Sequence, residues 1–227
     1  MNKTNRRIEG VSREMIALRV SRDIPEGSYV NLGIGIPTLI SDWVSDREVI
    51  LQSEIGMLKT GPLASSEEVD QDCINASCQA VCYLPGSSFF DIVESFDMIR
   101  GGRMDVVVMG ALQVNAVGDY AGWANPARGL DLGNIGGSMD LCAGAKKLFI
   151  AMEHTTVNGE YKICSELTYP LTAKGKVNKI FTDLAVIDVT PNGLMLREVA
   201  PGLTADNVQS VTEPCLIISP DLKEMEF

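Results

Sequence analysis

The sequence predicts an α/β fold with an open, mainly parallel central sheet and helices on both faces. Short apolar runs at 29–32, 49–53, 105–109 and 147–152 recur along the chain, and the first two pass directly into glycine turns, as buried strands do. Between them lie segments whose apolar residues fall at helical spacing, the alternation expected of strands joined by helical crossovers. The 227 residues contain no internal repeat, low-complexity tract or proline-rich linker, so one domain is expected over 1–227.

Each element has a local reason. Ser12 is placed to cap a first helix reaching about Asp23, with Val11, Met15 and Leu18 at helical spacing. A strand starts at Tyr29 and gives way to Gly33-Ile34-Gly35-Ile36-Pro37; proline suits the first helical position, so a helix is expected over 37–44 with Ile36, Leu39, Ile40 and Trp43 inward. Residues 49–53 read as a buried strand, and Glu67 to Asp72 as an acidic solvated loop. From Ser88 a helix is expected to carry Phe89, Val93, Phe96 and Ile99 on one face. It would stop at Gly101-Gly102, with Arg100 in its last turn. Strands follow at 105–109 and 147–152, and between them Ser138 is placed to cap another helix. The remaining apolar runs, 185–189, 194–196 and 216–219, read as strands, with a short helix after Thr204 carrying Val208 and Val211.

Composition excludes several functions. Hydrophobic residues make up 45% and charged residues 22%, an ordinary balance for a soluble domain. The net charge of −11, from 30 acidic against 19 basic residues, repels a phosphate backbone and argues against nucleic acid or an anionic membrane as partner. Lys3, Arg6 and Arg7 are followed by Ile8-Glu9-Gly10 rather than an apolar signal core, and no later stretch approaches a membrane span, so a cytoplasmic location is expected. Cys73, Cys78, Cys82, Cys142, Cys164 and Cys215 lack a Cys-x-x-Cys spacing and fit reduced thiols. The single histidine, His154, lies far from the cysteine cluster, and no metal site is expected. A Ser-His-Asp or Cys-His system would have to use His154, and no Gly-x-Ser-x-Gly elbow occurs, so His154 reads as structural and covalent catalysis falls to a carboxylate.

That carboxylate is Glu54. It follows Val49-Ile50-Leu51-Gln52-Ser53 and precedes Ile55-Gly56, which places it where a buried strand runs out toward the crevice in which open α/β sheets bind ligands. Gly33 and Gly35, after the strand carrying Asn31, and the pair Gly136-Gly137 ahead of Ser138 offer main-chain N–H groups to an anionic or carbonyl-bearing ligand. Together with the turn at Gly56 they are the candidate oxyanion donors. Gly33-x-Gly35 lacks the third glycine of a dinucleotide fingerprint, so a nicotinamide cofactor is not expected. Ser53 and Gln52 are expected to position the strand end, and Gln113, at another strand end, to reach the site.

Three blocks carry a family resemblance: 31–37 (Asn-Leu-Gly-Ile-Gly-Ile-Pro), 52–56 (Gln-Ser-Glu-x-Gly) and 136–141 (Gly-Gly-x-Met-Asp-Leu). In that order and at those separations they resemble the B (β) subunit of family I coenzyme A transferases, the acetate, butyrate and 3-oxoacid group. Leu84-Pro85-Gly86, Ile99-Arg100-Gly101-Gly102 and Ala151-Met152-Glu153-His154 extend the resemblance over nearly the whole chain. It implies an α/β fold similar to that of the coenzyme A transferases and sugar-phosphate isomerases, with Glu54 as nucleophile and Asn31, Gly136 and Gly137 against the pantetheine arm. It also implies an A (α) subunit partner, with two copies of each. Coenzyme A and acyl-CoA enter as substrates alongside a short-chain carboxylate such as acetate, butyrate or acetoacetate, and no cofactor is required.

The chain departs from the family form at two places. Ile55 stands where Ser-Glu-Asn-Gly has asparagine, which makes position 55 a candidate for acyl selectivity, and residues 123–132 differ from the usual Trp-x-x-Pro-Gly-Lys. Two other readings remain open at this stage. One is a sugar-phosphate isomerase of similar fold, which would need a basic phosphate clamp; the other is a non-catalytic subunit that stabilises a partner.

Overall fold

The computed structural model describes residues 7–126 and 133–227. Most of the divergent 123–132 segment, residues 127–132, therefore lies outside the described residues.

Helix α1 (Arg13–Ser21) leads to β1 (Tyr29–Leu32), a 3-10 turn (Ile36–Ile40), the short α2 (Ser41–Val44) and β2 (Ile50–Ser53). Then come β3 (Met57–Leu63), β4 (Val81–Phe89), α3 (Ile92–Arg100) and β5 (Val106–Met109). After β6 (Gln113–Asn115) and β7 (Tyr120–Ala121), α4 (Ser138–Gly144) precedes β8 (Lys147–Ala151) and β9 (Ile163–Cys164). The chain closes with β10 (Val177–Phe181), β11 (Ala185–Thr190), β12 (Gly193–Val199), α5 (Ala205–Ser210) and β13 (Ile217–Glu224).

One ten-stranded sheet has the order β13-β12-β11-β10-β8-β5-β1-β2-β3-β4, and β7-β6-β9 form a small second sheet. The centre, β10-β8-β5-β1-β2, is parallel throughout, as the sequence predicts. Antiparallel neighbours extend it on both sides, β3 and β4 beyond β2, and β11 and β12 beyond β10. The register of the central pair sets Val30 opposite Leu51 and Asn31 opposite Gln52.

Strand alternation divides the core between two faces. Val107, Leu148 and Ile150 pack with Ile99, Leu141 and Val208 from α3, α4 and α5. Val106, Val108 and Phe149 pack on the other face with Ile16, Ala17 and Val20 of α1 and Ile40 of the 3-10 turn. Helices thus cover both faces, which is why the central strands are apolar on every side chain but those near their ends.

Several details correct the sequence reading. The inward face of α1 is Ile16, Ala17 and Val20, whereas Met15 and Leu18 are only partly covered. Ser12 does cap it, accepting from the Met15 N–H. Trp43 is 42% exposed, because residues 36–40 wind as a tighter 3-10 turn and rotate it outward. No helix starts at Ser88. Phe89 ends strand β4 and is exposed, and α3 begins after Asp91, whose carboxylate accepts from the Val93 and Glu94 N–H groups; the face it buries is Ser95 and Ile99, with Val93 outward. Ser138 is the first residue of α4 rather than its cap, a position held by Gly137. Strands β3, β4, β10 and those of the small sheet went unread in the sequence. Glu67 to Asp72 is exposed, as expected.

His154 is fully buried, its Nδ1 2.9 Å from Thr182 Oγ1 and its Nε2 2.8 Å from Thr212 Oγ1, so its role is to tie three segments together. Burial pushes its pKa down to about 3, below the 6.5 of an ordinary histidine. Only the unfolded chain takes up this proton as the pH falls below 6.5, so the associated stability is complete above that value and declines on acidification toward about 3. In thermal unfolding measured from neutral to mildly acidic pH, wild type should lose on the order of a few kcal/mol more than His154→Gln, which has no imidazole to titrate. Parallel acid limbs for the two proteins would remove this role.

Candidate active site

The topology determines where a site belongs. From β1 the chain moves outward to β2, β3 and β4, then returns to place β5 on the opposite side of β1. A crevice therefore opens between the carboxyl ends of β1 and β5, the switch point at which open α/β sheets bind ligands. A cleft of about 450 Å³ lies there, lined by Gly33, Met109, Gly136, Gly137 and Glu54 among others. Gly33, Glu54, Gly136 and Gly137, far apart in sequence, meet at this cleft. Leu112 and Tyr120, from the segment after β5, and Ala76, from the β3–β4 connection, complete parts of the wall without having been singled out in the sequence.

Glu54 is partly buried in the turn that follows β2. Asn31 lies beneath it, fully buried. Its Nδ2 donates to the Gln52 Oε1 at 2.7 Å and the Gln52 carbonyl at 3.0 Å, and reaches Glu54 Oε2 at 3.3 Å. Gln52 in turn donates from Nε2 to Ser95 Oγ at 2.7 Å. Ser53 packs on the other side of the strand end, where Gln52, Ser53 and Glu54 border a small cavity of about 30 Å³. The buried Asn31 Oδ1 and Ser53 Oγ have no partner among the described residues.

The glycines shape this site more than they donate to it. The Gly33 N–H donates to the Val108 carbonyl at 2.8 Å, extending the β1–β5 ladder, and the Gly56 N–H closes the turn onto the Ser53 carbonyl at 3.0 Å. Gly136 donates to Asn134 Oδ1 at 2.9 Å, and Gly35, at 3.4 Å from Ser77 Oγ, meets the β3–β4 connection. As oxyanion donors Gly33, Gly35 and Gly56 are thus already engaged in this chain, a correction to the sequence reading. What they supply is close approach: Gly56 has φ +127° and a Cβ there would collide with the Phe90 carbonyl oxygen, while a Cβ on Gly33 would come within 3.0 Å of Met109 Sδ. The Gly137 N–H carries no bond among the described residues.

Gln113 does not reach Glu54. Its amide holds Thr168 and Tyr169, accepting from both N–H groups, and it borders a separate cleft with Lys162 and Glu153. The reason is that β6 turns away from the main sheet to pair with β7 and β9. Ile55, next to Glu54 in sequence, is half exposed and is not among the residues lining the cleft.

A family model described as coenzyme A transferase matches residues 13–210. The B subunit of the 3-oxoadipate CoA-transferase of Pseudomonas putida is 46% identical over 207 residues, covering 91% of this chain and 97% of that one. The B subunit of the succinyl-CoA:3-ketoacid coenzyme A transferase of Helicobacter pylori is 42% identical over 201 residues, covering 88% of this chain and 96% of that one. Among solved structures, an acyl-CoA transferase of Escherichia coli superposes with a TM-score of 0.74 at 21% identity; the match covers 98% of this chain but 44% of that longer one and bears on the fold alone. With a carboxylate at the switch point of this fold and subunit-length relatives aligned almost end to end, the chain belongs to the coenzyme A transferase family.

Proposed function

We propose that the chain is the B subunit of a two-subunit transferase that moves coenzyme A between carboxylic acids, 3-oxo acids foremost, through a covalent intermediate on Glu54. The observation that carries this reading is the Glu54 carboxylate set in the switch-point cleft with the Asn31 amide at 3.3 Å. The subunit-length relatives have names that specify 3-oxoadipate or 3-ketoacid transfer. Acetate and butyrate are further acceptors to test.

The chemistry needs no external energy source, because one thioester is broken and another made. The Glu54 carboxylate attacks the acyl-CoA carbonyl and expels the CoA thiolate, leaving an acyl-glutamyl anhydride. The thiolate then attacks the glutamyl carbonyl, releasing the first acid and leaving a glutamyl-CoA thioester. An acceptor carboxylate runs both steps in reverse. Each tetrahedral intermediate carries an oxyanion. On this chain the glycine N–H left for that oxyanion is that of Gly137, which lines the cleft; the Asn31 Nδ2, already donating to Gln52, orients the Glu54 carboxylate instead. Asn31 and the Gly136-Gly137 turn also form the surface against which the pantetheine arm would lie, and binding energy from that arm can be used at the reacting centre. Mixing the chain with its A-subunit partner, an acyl-CoA and a panel of acids tests the reading; failure of every acid to exchange would refute it.

The isomerase reading fits less well. Among the described residues, none lining the Glu54 cleft is a lysine or arginine, and a sugar phosphate needs such a clamp.

Ile55 supplies a separate expectation. A half-exposed apolar side chain next to the nucleophile stands where the family form has a hydrogen-bonding amide. Ile55→Asn should reorder kcat/KM among acetate, butyrate and 3-oxo acids while preserving the covalent adduct. A uniform change for all acids would show that position 55 does not select.

A further inference from the structure

We propose that Ser95, on α3 and outside the cleft, is a positioning residue for Glu54 that acts through Gln52 and Asn31; this rests on the reading of Glu54 as nucleophile. Ser95 is fully buried, and its Oγ accepts from Gln52 Nε2 at 2.7 Å. Gln52 Oε1 accepts from Asn31 Nδ2 at 2.7 Å, and the same Nδ2 reaches Glu54 Oε2 at 3.3 Å. Four side chains thus form one line from the helix to the carboxylate.

The donor directions along this line are forced. Asn31 Nδ2 faces the Gln52 main-chain carbonyl at 3.0 Å as well as the Glu54 carboxylate, and both can only accept. The amide nitrogen must therefore point this way, since the opposite rotamer would set Oδ1 against two acceptors. Gln52 must then present its oxygen to Asn31 and its nitrogen to α3. There the nitrogen needs an acceptor, in a place where both Gln52 and Ser95 are shut off from solvent, and Ser95 Oγ is the acceptor. Without that oxygen the Gln52 nitrogen is buried unpaired, and the side chain loses the contact that fixes it against α3. A Gln52 that shifts to find another acceptor for its nitrogen carries away the Oε1 on which the Asn31 amide rests, and so unseats the donor beneath Glu54.

Helix α3 is itself a firm support. Arg100 pairs with Asp140 of α4 at 2.8 Å, and Gly144 packs so closely on the Ile99 carbonyl that a Cβ would not fit. The position of Glu54 is consequently referred to the helical layer as well as to its own strand.

The test uses the assembled two-subunit enzyme. Ser95→Ala removes the oxygen with a smaller side chain that fits the existing space. It should lower kcat, and the rate at which the coenzyme A adduct forms on Glu54, by about tenfold or more with KM for acyl-CoA unchanged, because misplacement of a reacting group is felt in the chemical step. Ser95→Thr, which keeps the hydroxyl, should recover most of the loss. In a double-mutant cycle, Ser95→Ala should add nothing in a Gln52→Met background, where no amide remains for Ser95 to hold. Wild-type kcat in Ser95→Ala, or losses that multiply with Gln52→Met, would overturn the proposal. Glu54→Ala run in parallel separates the two levels: if it is active the reading of Glu54 fails, and if it is inactive while Ser95→Ala is normal only the positioning role fails.

Discussion

Glu54→Ala should fold and assemble but lose coenzyme A transfer by about four orders of magnitude or more, the scale expected when a covalent nucleophile is removed. Glu54 is partly buried in a turn whose backbone is held by the Gly56 N–H on the Ser53 carbonyl, so shortening the side chain leaves the turn intact. Glu54→Gln is the stricter variant. It preserves shape and polarity, yet its neutral amide is a poor nucleophile, and it should lose nearly as much. Incubation of wild type with acyl-CoA, followed by proteolysis and mass spectrometry, should locate a coenzyme A adduct on the peptide containing Glu54. Transfer by Glu54→Ala at a tenth of the wild-type rate or faster would refute the covalent role.

The second large effect concerns the partner. The cleft of about 450 Å³ is toward the small end for drug-sized ligands, and a coenzyme A ester is larger than those. Ile34, which lines it, is 70% exposed, and Ile55 and Met139, next in sequence to the lining residues Glu54 and Ser138, are 50% and 51% exposed, apolar surface of the kind that a partner covers. An anhydride intermediate also has to be kept from water. The isolated chain is therefore expected to turn over at least about 100-fold more slowly than the chain mixed with its A subunit, given what loss of alignment alone costs. Native mass spectrometry of the active species should find two copies of each subunit. Full turnover by the single chain, with no second polypeptide present, would overturn this.

Much of this was legible in the sequence, for physical reasons that differ by residue. The central strands stand out because Val106, Val107 and Val108, or Leu148, Phe149 and Ile150, are apolar on both faces, and only a sheet covered twice needs that. Glu54 and the glycine turns were legible because a strand end, a carboxylate and a residue able to adopt positive φ are all local features. The β3–β4 hairpin was not. Gly61, Pro62, Pro85 and Gly86 break its pattern, and Lys59 takes φ +63°. The helix misread at Ser88 followed the apolar spacing of Phe89, Val93 and Phe96, whereas the decisive signal was Asp91, a carboxylate at a helix start. No local pattern indicates that the Gly33 N–H is taken by Val108, or that Asn31, Gln52 and Ser95 meet. Those contacts exist only once β1, β2, β5 and α3 are assembled.

The pairing of Asn31 with Gln52 has a consequence for how the chain folds. Between parallel strands made of Val30, Leu32 and Leu51, apolar contacts alone tolerate a slip by two residues, because the same faces remain buried. Asn31 does not tolerate it. In the native alignment it sits opposite Gln52 and its Nδ2 donates to the Gln52 amide oxygen, while displaced by two toward Ile50 it would face an apolar neighbour, with its donors stranded in the interior. The residues that prepare the carboxylate thus also act as an index mark for sheet assembly. Substitutions at Asn31 should therefore show up in the yield of correctly aligned protein as well as in catalysis.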